Sequence, residues 1–398
     1  MTDEDDRPLW GWSGRIELRD SIRLSFFRVD AVHLLAVIVG VILVVTALAD
    51  AINTLVSTAT AWGRWWLTFI LYRRTWSGIR TVAAQMPSEA SKEVILATYA
   101  PLSVLFLLVA WVTQQVIGFG LIWWGLGGVD GADGLFDSIY FSGVVYFTLG
   151  FGEVVPVDAV PRVGSLVEAF AGVLTTALVI GYLPALYSAF SERERKLMTL
   201  DDGTEERITP TSLLMSRAPT GDPDDILRFF EGWEEWVAGV IETHSTFPML
   251  RLFRSKHAGQ NWVTALGLLT DAALQCQLIK ATKDRAPYWL LRRSVTLFNE
   301  LTRDVDLSEY RARLDANYAL DADDNSEHLF RNIYDELSAH GFELVDFDEG
   351  RAETLELRRL FDAQMEFLID ATLAPRGFWG HKIGVRMLRL QSPADPTT

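Results

Sequence analysis

The residues of this chain best suited to chemistry are Thr148-Leu149-Gly150-Phe151-Gly152, inside the run from Tyr140 to Pro156. Aiming successive backbone carbonyls at one axis requires backbone angles closed to ordinary L-residues, and glycine supplies them. Gly150 and Gly152 stand at that alternate spacing. Rings of such carbonyls replace the hydration shell of a desolvated cation, and the Thr148 hydroxyl adds an innermost oxygen ligand. The chemistry implied is ion coordination by backbone, with no bond made or broken.

Such a turn needs elements to hold it. The semi-apolar piece from Leu135 to Phe147 directly precedes it. As a helix its roughly 13 residues reach about 20 Å, too short to cross a bilayer. Its C-terminal carbonyl end points a partial negative charge at the turn, which favours a cation. Asp137 and Ser138 are the capping candidates at its start.

Three stretches have the length and apolarity of membrane spans: Val32 to about Leu48, Val94 to Trp124, and Val163 to Phe190. The second carries no charge, and its Trp123-Trp124 end reads as an interfacial anchor. The short helix and glycine turn lie between the second and third, a re-entrant arrangement tolerated where backbone lines a watery cavity. The segment Trp62 to Arg80 mixes four tryptophans with Arg64, Arg73, Arg74 and Arg80. It reads as an amphipathic helix in the headgroup region, with a second span from Leu55 to Tyr72 as the alternative. No arginines recur at the three-residue spacing of a voltage-sensing helix.

The third span carries Glu168, an ionisable group that is costly facing lipid. It is expected to turn inward against the short helix, with Ser142 or Tyr146 as hydrogen-bond partners. Gly181 and Pro184 in the same span are candidates for a gate bend or a tolerated kink. Thr176, Ile180 and Pro184 share a face at i, i+4 spacing and are candidates to line a cavity.

The sequence around the filter resembles the tetrameric potassium channel family, whose filter reads Thr-x-Gly-Tyr/Phe-Gly-Asp. The resemblance covers about residues 94–190: outer helix, short turret, pore helix, filter and inner helix. It implies that backbone oxygens of Thr148, Leu149, Gly150 and Phe151 line K+ sites, and that Gly172 falls where such channels often carry a hinge glycine. It also implies a homotetramer, since one chain supplies a quarter of each carbonyl ring. Phe151 stands for the commoner tyrosine and lacks its bracing hydroxyl. Glu153 stands for aspartate, and Phe147 for the threonine of many relatives. None of these removes a carbonyl ligand.

Beyond Ser191 the chain turns polar and acidic, and most of its net charge of −16 lies there. That part keeps enough Leu, Phe, Ile and Trp for a core, with helical periodicity from Asp222 to Leu373 and loops expected at 201–224, 284–288, 319–327 and 346–352. The acidic balance argues against a nucleic-acid partner. One cysteine, Cys276, excludes an internal disulfide or a cysteine zinc site. Asp321 to Glu327 imitates half a calcium loop but lacks its glycine and closing glutamate, so it reads as a solvated acidic loop. The segment His244 to His257, with Arg251, Arg254 and Lys256, reads as a surface or subunit-contact stretch, or as a site for an anion or lipid headgroup. Residues 376–389 are basic and aromatic, suited to a membrane surface or an acidic neighbour.

The expected fold is an all-α membrane protein: a tetrameric potassium-channel pore with an all-α cytosolic domain. Its expected parts are an N-terminal tail (1–30), a transmembrane and interfacial block (31–92), a pore module (93–190), a linker (191–222) and the helical domain (223–398). No enzyme signature or cofactor motif is present, and the expected location is the cell membrane. Passive K+ conduction is the first reading. A non-conducting sensor or scaffold on the same architecture and a poorly selective cation channel are the alternatives.

Overall fold

The computed structural model describes residues 31–55, 67–200, 208–255, 261–320 and 325–374. It is an all-α membrane protein. Three helices are long and apolar enough to cross a bilayer: α1 (Ala31–Leu55), α3 (Glu89–Leu126) and α5 (Ala159–Leu197). Between α1 and α3 lies α2 (Leu67–Ala84). It carries Arg73, Arg74 and Arg80 on its exposed side and buries Tyr72 and Ala83, as an amphipathic helix does; it is not among the three spans. Trp62 and Arg64 to Trp66 of the same stretch lie outside the described residues.

The chain divides into two compact units. One comprises Met1–Val45 and Gln114–Gly172, the other Thr46–Thr113 and Val173–Thr398. In the first, the loop joining α3 to α5 is closed by a two-stranded antiparallel clasp, β1 (Val129–Asp130) against β2 (Val155–Pro156), with Val129 opposite Pro156. Inside it sits α4 (Leu135–Tyr146). Its N-cap is Gly134, whose N–H is accepted by the Asp137 carboxylate at 3.1 Å. Asp137 therefore serves the helix start by reaching back from the third position, while Ser138 is buried within the helix.

In the second unit, Asp50 of α1 is buried and organises three helices. Its Oδ2 accepts the Thr68 backbone N–H at 3.0 Å, the Thr68 hydroxyl at 2.8 Å and the Trp111 indole N–H at 2.9 Å. A carboxylate at the first turn of α2 satisfies a free N–H and complements the helix dipole. Asp50→Ala would leave those donors unpaired at about 1–3 kcal/mol each. The expected result is a lower melting temperature in detergent, with a smaller loss for Asp50→Asn, whose amide oxygen still accepts.

The helical domain is built around α8 (Trp262–Gln275), every residue of which is buried. The one charged residue of α8, Asp271, is buried with it and pairs with Arg358 at 3.3 Å, and Asn261 caps the helix by accepting the Val263 N–H at 2.8 Å. Packed on it are α6 (Pro210–Arg217), α9 (Ala286–Leu301), α12 (Phe347–Arg358) and α13 (Asp362–Thr372), while α7 (Pro223–Thr246) packs on α9 and α6. Along α7 the residues Ile226, Phe230, Trp233, Val237, Val240 and His244 are buried at alternating spacings of four and three, the stripe a packed helix needs. The outer helices α10 (Ser308–Leu320) and α11 (Asn325–Ala339) complete the domain.

Two expected loops are helical in part among the described residues. Within 201–224, α6 begins at Thr209, whose hydroxyl accepts the Ser212 N–H at 3.1 Å, with Pro210 in its first turn. Its Leu213 and Leu214 reach the core. Within 346–352, Asp346 caps α12 through the N–H groups of Asp348 and Glu349. In both cases the cap is local and readable, but flanking Gly, Pro and Asp mask it. Of the calcium-like stretch, Asp321 to Asp324 lie outside the described residues, and Glu327 pairs with Arg331 on α11 at 2.9 Å. Residues 376–389, Lys256 and His257 also lie outside.

Candidate functional site

The turn after α4 begins as a helix stop. Phe147 is the C-cap, the Thr148 N–H bonds to the Val145 carbonyl at 3.0 Å, and the Leu149 N–H to the Val144 carbonyl at 2.8 Å. This pair of bonds is the Schellman arrangement, whose key residue is left-handed and usually glycine. Here it is Thr148, at φ 55°. A β-branched residue in that region is strained, and such outliers concentrate at functional sites.

Beyond Thr148 the backbone alternates. Gly150 lies at φ 63° and Gly152 at φ 89°, while Leu149 and Phe151 between them have ordinary negative φ. Left-handed positions at 148, 150 and 152 are the alternation that successive carbonyls need to face one side. The whole stretch from Phe147 to Glu153 is exposed on the chain, with Phe147, Leu149 and Phe151 among its large apolar side chains. At the outer end, the Tyr140 hydroxyl on α4 donates to the Glu153 carboxylate. That brace stands where the sequence offers no tyrosine at 151.

Glu168 of α5 is fully buried. The Ser142 hydroxyl, on α4, lies in hydrogen-bond contact with Glu168 Oε1, and the Trp123 indole N–H on α3 donates to Oε2 at 2.7 Å. One carboxyl from α5 thus ties α3 and α4. Of the two partners expected, Ser142 and Tyr146, the contact is to Ser142. Trp123 is a correction: read as an interfacial anchor, it is buried and faces inward, because its N–H finds an acceptor 45 residues further on.

Gly172 has a packing reason. The helix α5 runs unbroken through it, and a β-carbon there would stand 2.2 Å from the Tyr146 carbonyl oxygen. Only glycine lets α5 approach the end of α4 so closely.

The remaining candidates belong to the second unit. Thr176, Ile180, Gly181 and Pro184 are all exposed, so one face of α5 is open along their length. A β-carbon at Gly181 would meet nothing.

Between His244 and Ser255 the segment is packed rather than a free surface stretch, with only Ser245 and Pro248 exposed among these described residues. His244, Leu250, Phe253 and Arg254 are buried. Arg254 donates to the Thr372 and Leu373 carbonyls at 2.9 and 2.6 Å and pairs with Glu93 at 3.4 Å. Its charges looked solvated because their partners are distant in sequence. Among the described residues no cluster of His, Cys, Asp or Glu is arranged to hold a metal ion.

Residues 105–188 match the model of a family described as "Ion channel", a range that takes in most of α3, all of α4 and the filter, and most of α5. A Bacillus subtilis (strain 168) protein named "Uncharacterized membrane protein YdjJ" is 28% identical over 141 residues, 34% of this chain and 39% of that protein. The match therefore spans well under half of that relative. No solved structure matches the chain. The class these findings define is a membrane protein with a segment similar to ion channels.

Proposed function

We propose that the chain is one subunit of a homotetrameric K+ channel, conducting passively across the cell membrane, with its helical domain in the cytosol setting how readily it opens. The observation that carries this reading is the alternation of left-handed backbone at Thr148, Gly150 and Gly152, directly after a short helix set between two spans. Carbonyl oxygens of residues 148–151 then form the K+ sites, four chains closing each ring. No resident cofactor takes part; the ion is the cargo.

Two exposed apolar surfaces support the fourfold assembly. On α4 and its cap, Phe136, Tyr140 and Phe147 share one face. On α5, Val163, Leu166, Val167 and Phe170 do the same. A neighbouring subunit would cover these faces. The open face of α5 at Thr176, Ile180 and Pro184 is the candidate cavity lining.

Uptake of Rb+ into liposomes, with Na+ as competitor, tests the reading. Rb+ uptake unaffected by excess Na+ is expected. Equal competition by Na+ would leave a poorly selective cation channel, and no uptake would leave a non-conducting protein. Mass measurement in mild detergent should give four chains, and a monomer or dimer would contradict the assembly.

A further inference from the structure

Arg193, near the end of α5, is almost completely buried. A guanidinium presents its donors in a rigid planar fork and has no acceptor, so burying one requires a receptor built to match. The receptor is made by the helical domain. Nη1 donates to the Leu250 carbonyl at 2.9 Å and lies 3.2 Å from His244 Nε2. Nη2 donates to the Phe253 carbonyl at 2.8 Å and to the adjacent Glu194 carboxylate at 2.9 Å, which Nε also reaches at 3.1 Å. The guanidinium carbon lies 5.4 Å from the centre of the Trp262 ring of α8 and 5.5 Å from that of Phe190. The Arg193 carbonyl in turn accepts the Trp236 indole N–H at 3.2 Å.

His244 is set to receive this cation. Its Nδ1 lies 2.9 Å from the Val240 carbonyl, so Nδ1 carries the proton and Nε2 is left to accept. Burial, and then the Arg193 charge, hold its pKa well below the ordinary histidine value, so the ring is neutral.

The same segment also reaches the membrane helices. A 3-10 turn, Pro248–Leu252, follows α7. Leu250 and Phe253 join one apolar cluster with Tyr72 of α2, Tyr99 and Trp111 of α3, and Tyr182, Leu186 and Phe190 of α5. Phe247 packs edge-on against Tyr182 and Phe253 against Tyr187. Nearby, Trp76 of α2 donates to the Ala371 carbonyl of α13 at 3.0 Å.

We infer that residues 247–253, keyed to Arg193, are the joint through which the helical domain positions the inner helix. On this view force passes through side chains at the end of α5 rather than along the covalent connection between α5 and α6. Arg193 acts as a positioning residue, since it touches neither the ion nor the filter. The inference rests on the channel reading above, and it specifies how the domain regulates that pore.

The test uses full-length tetramers in liposomes. Arg193→Lys keeps the charge but not the fork, and His244→Phe removes one acceptor without altering α5. Each is expected to change Rb+ uptake per tetramer by about fivefold or more, the usual size of a coupling between sites, with Na+ exclusion intact. The double variant should change uptake no further than the larger single effect, because both act on one joint. Four residues inserted after Gly203 should leave uptake unchanged. Should Arg193→Lys fail to assemble, His244→Phe carries the test alone. Uptake within twofold of wild type in every assembled variant, or a large effect of the insertion alone, overturns the joint. If the wild-type protein conducts nothing, the channel reading falls, and the joint is read by hydrogen exchange instead. Arg193→Lys should then speed exchange in 183–192 and 247–253 together; faster exchange in only one of them overturns it.

Discussion

On the channel reading proposed above, replacing Gly150 by alanine is expected to abolish a preference for Rb+ over Na+ while leaving the four chains assembled. The residue sits at φ 63°, and a β-carbon added there meets no heavy atom of its own chain within 4 Å. Its cost is therefore conformational. A left-handed backbone costs an L-residue about 1–2 kcal/mol, and four copies in one ring raise that to roughly 4–8 kcal/mol. A hundredfold ionic preference corresponds to only about 2.8 kcal/mol. Relaxing the backbone out of the left-handed region would therefore gain more than a preference of that size is worth. Thr148→Ala should act more mildly. Threonine already occupies φ 55° with a branched side chain, so alanine adds no backbone strain and removes only a hydroxyl ligand. Rb+ uptake with and without excess Na+ measures both variants. Selective uptake surviving Gly150→Ala would remove residues 148–152 from the ion path.

The short helix between two spans and the turn at residues 148–152 were legible in the sequence because their signals are local. Glycines two apart, a helix too short to span and apolar runs of membrane length need no knowledge of distant partners. What was not legible depends on residues far along the chain. Asp50 sits just past an apolar run and looks like its polar end; its role comes from Thr68 and Trp111, 18 and 61 residues away. Trp123 has the composition of an interfacial aromatic, and only Glu168 turns it inward. Arg193 belongs to the run Ser191-Glu-Arg-Glu-Arg-Lys, which reads as a solvated exit from the membrane. The receptor that buries Arg193 lies 51 to 69 positions downstream, from His244 to Trp262. The clasp of β1 with β2 is two residues per strand, below what any alternation pattern can signal.

Glu168→Leu is expected to impair the pore severely, and Glu168→Gln to spare it. The carboxyl meets both Trp123 of α3 and Ser142 of α4. Leucine leaves the indole N–H without its acceptor, at about 1–3 kcal/mol for a buried donor, repeated in four subunits. It also removes the tie between α5 and the back of the helix that carries the filter. Glutamine preserves both contacts. Its amide oxygen accepts the Trp123 N–H, and its amide nitrogen donates to the Ser142 oxygen. That leaves the single Ser142 hydroxyl proton for the Val116 carbonyl, which lies 2.8 Å from Ser142 Oγ. Ser142 stands six residues before Thr148 on the same short helix, so a shift of α4 reaches the filter directly. Tetramer yield in detergent and Rb+ uptake against Na+ distinguish the variants. The expected order is wild type and Glu168→Gln together, with Glu168→Leu reduced in yield, in selectivity or in both. Equal behaviour of Glu168→Leu and wild type, or loss of selectivity in Glu168→Gln, would show that the three-helix tie does not hold the filter.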